Sequence, residues 1–314
     1  MTRLLVSAAG AVCLVAVLQA GQQQPVFRGT GDAVRVFVTV LDRDGRLATT
    51  LNQDDFEIRD EGKPQPITLF DNSPQPIRLI LMLDVSGSME GNLPLLRAAA
   101  EQLFARLRPD DVARVGAFGK DVAISPTFTN DAHVLRQALP QAIAPDALTP
   151  LWRAIDEAIG AFGESGDERK VVLVLSDGKD SGPMFRQKYV SQAEVIDRAR
   201  NTDTMVYAIG MRSRPSRRAP AGLGAGGLQA ALTEDLPDAG LARVAEESGG
   251  GYTEIRFGQD LGAAFAAVAE ELHSQYLIAF DPPKRDGKVH DIEVRVKQRG
   301  LTPRARKNYV APKG

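Results

Sequence analysis

The sequence predicts an α/β protein: a doubly wound, mainly parallel sheet inserted in a small β-sandwich-like module formed by the N- and C-terminal segments. Three observations carry this. Continuous apolar runs at 79–83 (LILML), 171–175 (VVLVL) and 205–209 (MVYAI) fit strands buried on both faces. Between and beyond them, apolar residues recur at three- and four-residue steps: Leu93, Leu96, Ala100, Leu103, Phe104 and Leu107, then Leu151, Ile155, Ala158, Ile159 and Phe162, then Leu261, Phe265, Val268 and Leu272. Toward both ends the period changes to two, with Val34, Val36, Val38 and Val40 on one side and Ile292, Val294 and Val296 on the other. Strands alternating with helices give βαβ units, and one-sided stripes need a partner face.

Residues 1–20 read as a secretory signal. Arg3 precedes the apolar run Leu4–Leu18, and Ala20 offers a small residue for cleavage. The run is short for a membrane span, which needs about 20 apolar residues; an uncleaved anchor is the alternative. Cys13 is the single cysteine and has Val12 before it, not the small residue of a lipid-attachment site. The mature chain is expected to be thiol-free, and to be secreted or periplasmic in the cell envelope.

Residues 21–76 form an N-terminal β segment. After the valine stripe, "DRDG" (42–45) is a turn, "DFEIRDEGKPQPITLF" (55–70) reads as two strands around Asp-Glu-Gly-Lys, and "DNSPQP" (71–76) as a linker. Residues 77–275 are the α/β region. Within it "RSRPSRRAPAGLGAGG" (212–227) is basic, Pro/Gly-rich and without period, and reads as a mobile inserted loop. Residues 276–314 return to alternation after the turn "DPPKRDGK" (281–288) and are expected to pack with the N-terminal segment.

With 43% hydrophobic and 25% charged residues the chain is an ordinary folded protein. Its 38 basic and 40 acidic residues leave a net charge of −2, which provides no global field for nucleic acid or an anionic membrane. His133, His273 and His290 lie far apart, which argues against a zinc site and favours helix-surface or strand-surface positions. Trp152 is expected in the core.

The chemistry concentrates where apolar runs stop. The first ends in Asp84-Val85-Ser86-Gly87-Ser88, another in Ser176-Asp177-Gly178, and Thr149 stands before a helical pattern. In open α/β sheets ligands gather at the carboxyl ends of strands. Carboxylates and hydroxyls together suit a hard, magnesium-type cation. Taken singly, Ser86, Ser88 and Thr149 also suit helix caps, and Asp177-Gly178 suits a turn.

These residues resemble the metal site of the von Willebrand factor type A domain, the integrin I-like fold. Its Asp-x-Ser-x-Ser motif is matched by Asp84, Ser86 and Ser88, its threonine by Thr149, and its second aspartate by Asp177. Leu148 and Pro150 stand in place of the commoner Gly-Thr context. With its flanking β segments, the chain resembles secreted bacterial VWFA-related proteins, best known from Acidobacteria. The resemblance implies a metal-ion-dependent adhesion site for Mg²⁺ or Mn²⁺, completed by a carboxylate of a protein partner, and it implies no catalysis. An envelope scaffold protein with a vestigial or purely stabilising metal site is the alternative.

Enzyme signatures fit less well. A haloacid-dehalogenase-type phosphatase would want an acid where Ser86 stands. Neither Ser86 nor Ser88 lies in a Gly-x-Ser-x-Gly elbow, and no glutamate closes "DGKDSG" (177–182) as a calcium loop.

Overall fold

The computed structural model describes residues 33–163, 168–182, 188–212, 237–256 and 260–313. The expected signal (1–20) and nearly all of the basic stretch 212–227 lie outside the described residues. The N-terminal strands are β1 (Val34–Leu41), β2 (Phe56–Asp60), β3 (Lys63–Gln65) and β4 (Leu69–Asp71). The α/β part follows as β5 (Ile77–Asp84), α1 (Leu93–Phe104), β6 (Val112–Phe118), β7 (Val122–Ile124), α2 (Ala132–Gln137), α3 (Leu151–Gly160), β8 (Arg169–Ser176), α4 (Gln192–Thr202), β9 (Thr204–Met211), α5 (Gly240–Ser248), β10 (Tyr252–Ile255) and α6 (Leu261–His273). The C-terminal strands are β11 (Tyr276–Phe280), β12 (Val289–Val296), β13 (Thr302–Arg304) and β14 (Asn308–Val310).

The central sheet has the order β10-β9-β8-β5-β6-β7, parallel except for the antiparallel pair β6–β7. The apolar runs are its innermost strands, as double-sided burial requires. Leu79, Leu81 and Leu83 face a core completed by α1, α2 and α6. Ile80 and Met82 face the opposite core, completed by α3, α4 and α5. The crossover from β5 runs to β6 on one side, whereas that from β8 runs to β9 on the other. The reversal falls at the carboxyl ends of β5 and β8, the position at which open sheets bind ligands. Strand β6 was not legible as an apolar run because Arg114 and Gly116 interrupt it; a Cβ at Gly116 would stand 2.5 Å from Met82 Sδ.

The terminal segments interleave. One four-stranded sheet has the order β13-β1-β11-β4 and another β14-β12-β2-β3. Val36 pairs with Ile278, and Val294 with Ile58. The sheets share one core containing Val34, Val36, Val38, Val40, Ile58, Ile278 and Ile292. Rings meet across it, with Phe56 and Tyr276 centroids 5.0 Å apart and Phe280 edge-on to Tyr309 at 5.7 Å. The two alternating stripes are therefore the two sides of one interior.

Two expectations need correction. The stretch 55–70 does not hold a single second strand. Glu61 and Gly62, with φ of 47° and 74°, turn β2 into β3, which stops before Pro66, and β4 then joins the other sheet beside β11. His290 and His273 are not surface residues. His290 has the same strand parity as Ile292 and points inward, 3.2 Å from both Asp60 and Asp286, while His273 lies 2.8 Å from the fully buried Asp111. His133 is exposed, and its ring meets Gln137 at 2.9 Å.

The outer face of β1 joins the module to the α/β part. Phe37 packs against the α/β core, and the Arg169 guanidinium lies 4.5 Å above its ring. Thr39 Oγ1 donates to Glu271 at 2.9 Å and accepts from Gln275 Nε2 at 2.7 Å. Tyr207 also donates to Glu271, at 2.5 Å, and Arg304 pairs with the same carboxylate. Arg169 donates to the Leu272 carbonyl at 2.6 Å, and burial draws its guanidinium down to about 10. Within this polar interior Arg169 Nε and Arg304 Nε are buried without a hydrogen-bond partner, so the cluster is held by the contacts named above and is not fully satisfied.

Deleting residues 276–314 removes β11 and β12, the partners of β1 and β2. The expected outcome, read by amide hydrogen exchange, is loss of protection along Val34–Leu41 and Phe56–Asp60. Unchanged protection there would show that the N-terminal strands stand without the tail.

Candidate functional site

The carboxyl ends of β5 and β8 bring together all of the oxygen-bearing residues singled out in the sequence. Asp84 closes β5 and is fully buried. Its Oδ1 accepts from the Ser86 N–H at 2.9 Å and from Ser86 Oγ at 2.6 Å, and its Oδ2 accepts from Ser176 Oγ at 2.5 Å. Ser86 Oγ is 3.1 Å from Ser88 Oγ and accepts from Thr149 Oγ1 at 3.1 Å. Ser88 Oγ donates to Asp177 Oδ1 at 2.6 Å. Asp84, Ser86, Thr149 and Asp177 are buried; Ser88 is exposed and brings the cluster to the surface.

The capping alternative does not hold. Ser86 precedes the 3₁₀ turn Gly87–Met89 without capping it, and the N-cap positions of α1 and α3 are Asn92 and Pro150. The three hydroxyls point at one another and at the carboxylates instead.

Glycines and one proline make the convergence possible. A Cβ at Gly178 would lie 2.9 Å from Thr149 Oγ1, and one at Gly87 would lie 2.1 Å from the Pro145 carbonyl oxygen. Both loops approach closer than a side chain permits. Pro150, at φ −81° and ψ 62°, forms an inverse γ-turn in which the Leu151 N–H donates to the Thr149 carbonyl at 2.9 Å. That turn sets Thr149 over the sheet before α3 begins, with Leu148 and Pro150 in place of the commoner flanks.

Sequence reasoning missed part of the surroundings. Ser176, the last residue of β8, is fully buried against Asp84. Asp180 Oδ1 accepts from the Trp152 N–H at 3.2 Å, and Ser181 Oγ from the Thr149 N–H at 2.7 Å. The only signal was that both lie in "DGKDSG", weighed as a calcium loop. Trp152 is buried in the core as expected, with its ring against Gly240.

Burial pushes the Asp84 carboxyl up to about 6; hydroxyl and N–H donors oppose the shift and the nearby Asp177 adds to it. Burial also raises Asp180, with Asp238 contributing. Among the described residues no three His, Cys, Asp or Glu side chains gather in a metal-sized group. The cluster is two carboxylates and three alcohols, an all-oxygen donor set. Oxygens around an octahedral Mg²⁺ at about 2.1 Å lie about 3 Å from their neighbours. The Ser86 Oγ separations from Ser88 Oγ and Thr149 Oγ1 are 3.1 Å, near that edge, whereas Ser86–Asp84 and Ser88–Asp177, hydrogen-bonded at 2.6 Å, would open slightly around a bound ion. The residues fit a hard divalent cation, and its charge would offset the repulsion between Asp84 and Asp177.

The von Willebrand factor type A domain profile matches residues 79–179. No curated protein matches the chain. Among solved structures, a von Willebrand factor type A protein from Catenulispora acidiphila is 11% identical, with a TM-score of 0.48, covering 90% of this chain and 75% of its own. BatB from Bacteroides thetaiotaomicron is 17% identical, with a TM-score of 0.45, covering 62% of this chain and 97% of its own. An aerotolerance-related membrane protein from Bacteroides fragilis is 15% identical, with a TM-score of 0.45 and coverage of 62% and 98%. Among the described residues no helix is long and apolar enough to cross a membrane.

A raised carboxyl pKa has a definite sign. The protonated form of Asp84 is favoured by folding, so its contribution is fully present below the unfolded value of 3.8 and is lost as pH rises through about 6. At neutral pH without cation, ionised Asp84 is expected to cost about 3 kcal/mol. In chelator, Asp84→Asn should melt higher than wild type at pH 7.5, with the gap closing toward pH 4. A pH-independent gap would place the strain elsewhere.

Proposed function

Because the chain carries a von Willebrand factor type A domain, we propose that it is a non-enzymatic binding and adhesion module whose metal-ion-dependent site engages an acidic group on a protein partner. Such domains are protein-interaction modules, and the observation that carries the finer reading is the convergence of five oxygen-bearing side chains from three loops. In this reading Ser86, Ser88 and Thr149 hold a divalent cation, Mg²⁺ or Mn²⁺, with Asp84 and Asp177 binding directly or through water. The ion supplies a positive centre that the alcohols leave incompletely neutralised. A carboxylate arriving beside exposed Ser88 completes its shell. The net charge of −2 gives no support for a nucleic-acid partner. The signal-like start and the thiol-free remainder of the sequence favour an envelope or secreted location.

Two measurements test this. A cation bound only by the folded state adds about 2.7 kcal/mol at a hundred times its dissociation constant. Wild type should therefore melt higher in excess Mg²⁺ than in chelator, while Asp84→Ala should show no difference. A full-sized Mg²⁺ shift in Asp84→Ala would remove Asp84 from the site. Partner capture from the native envelope should be lost both in chelator and with Asp84→Ala. Capture insensitive to both would support the scaffold reading, with the flanking β surfaces carrying the contact.

A further inference from the structure

We propose that Ser181 and Asp180 are positioning residues for the cation site, fixing the Thr149 hydroxyl relative to Asp177. This rests on the cation reading above and adds how two of the ligand-bearing loops are held in register. The contacts between the loops are reciprocal. The Thr149 N–H donates to Ser181 Oγ at 2.7 Å, and the Ser181 N–H donates to the Thr149 carbonyl at 2.9 Å. One turn further on, Asp180 Oδ1 takes the Trp152 N–H at 3.2 Å, which ties the start of α3 to the same loop. Asp180 is itself braced: its Oδ2 accepts from the Gly182 N–H at 2.8 Å, and its own N–H donates to Asp238 Oδ2 at 3.1 Å.

The geometry explains why side chains are needed here. Thr149 belongs to neither β8 nor α3, so no regular ladder fixes its backbone. Pro150 has no N–H to contribute, and the Leu151 N–H is turned back onto Thr149. The fastening must therefore come from outside the segment, and it comes from the residues that follow Asp177. Gly178 completes the arrangement, since only a residue without Cβ lets Thr149 Oγ1 sit above this loop. Two of the oxygens proposed as cation ligands, on loops far apart in sequence, are then held as one unit. Ser181 is exposed and fills no part of the core, so its hydroxyl can be removed without opening a cavity.

The test is Mn²⁺ titration of the full-length protein, read by the electron paramagnetic resonance signal of free Mn²⁺, with melting in chelator measured alongside. Partners that orient metal ligands typically alter affinity by about 10–100-fold when removed. Ser181→Ala should raise the Mn²⁺ Kd about tenfold while its chelator melting curve stays with that of wild type, and Ser181→Thr should restore the affinity. An unchanged Kd with a lowered chelator melting temperature would mean a purely structural role and overturn the proposal. If Ser181→Ala does not fold, Asp180→Asn serves, because it keeps the side-chain shape but weakens the acceptor for the Trp152 N–H; an unchanged Kd there also overturns it. Wild type binding Mn²⁺ and Asp84→Ala losing it, with Ser181→Ala unaffected, would sink this proposal alone. Wild type failing to bind Mn²⁺ would sink the cation reading and this proposal together.

Discussion

A carboxylate with no solvent exposure at the end of the central strand constrains much of what surrounds it. Asp84 lies between two parallel neighbours, paired with Phe118 on one side, while Ser176 ends the strand on the other. Burying an ionised group without donors is costly, and each of its oxygens is met by a hydroxyl. Those donors bring their loops with them: Ser86 is followed directly by the 3₁₀ turn leading into α1, and Ser176 is followed directly by Asp177. The close approaches at Gly87 and Gly178 follow from the same crowding. Crowding two acids and four alcohols into one place makes little sense as a packing solution, since apolar residues of similar volume would be cheaper to bury. It accords with the cation site proposed above.

At the other end of the sheet a different polar cluster does mechanical work. Glu271 and Gln275, at and just beyond the end of α6, are gripped by Thr39, Tyr207, Arg169 and Arg304. These come from β1, β9, β8 and β13, so the cluster crosses from the terminal module into the α/β part. The nearby triple glycine 249–251 serves the same joint, because a Cβ at Gly249 would lie 2.4 Å from the Arg306 nitrogen. The polar clusters at the two ends thus differ in kind. One is partnered by charges of both signs within the chain, and the other holds two aspartates among neutral alcohols.

Much of this was legible in the residues. Apolar runs that stop at Asp84 and at Ser176-Asp177 place chemistry at strand ends by the simple rule that buried strands need not alternate. The valine stripe at 34–40 announced an unpaired face, and Ile292, Val294 and Val296 announced its complement. What escaped was set by contacts distant in sequence. Ser181 looks like any loop serine until the Thr149 N–H, 32 residues away, is seen to donate to it. His290 reads as polar and therefore external, although its strand parity with Ile292 already pointed inward. Strand β6 was hidden because Arg114 and Gly116 break its apolar run, and each answers to a specific neighbour: Arg114 donates to the Ala161 carbonyl at 2.9 Å, and Gly116 abuts Met82.

The position of β1 carries a consequence for biogenesis. Its hydrogen-bond partners, β11 and β13, are encoded at the far end of the chain, and Thr39 meets Glu271 across 232 residues. A valine-rich strand made before them must therefore wait, unpaired, until β11 and β13 have been synthesised. The α/β core can begin to assemble in that interval, since β5 and β6 are separated by a single helix. Long-range pairing of this kind is slow because loop closure precedes any gain from the contact. During the wait, Val34–Leu41 is an alternating apolar segment open to strand pairing with other chains, the condition under which chaperone escort matters most. For this chain, completion of the C-terminal strands is the event that retires that hazard.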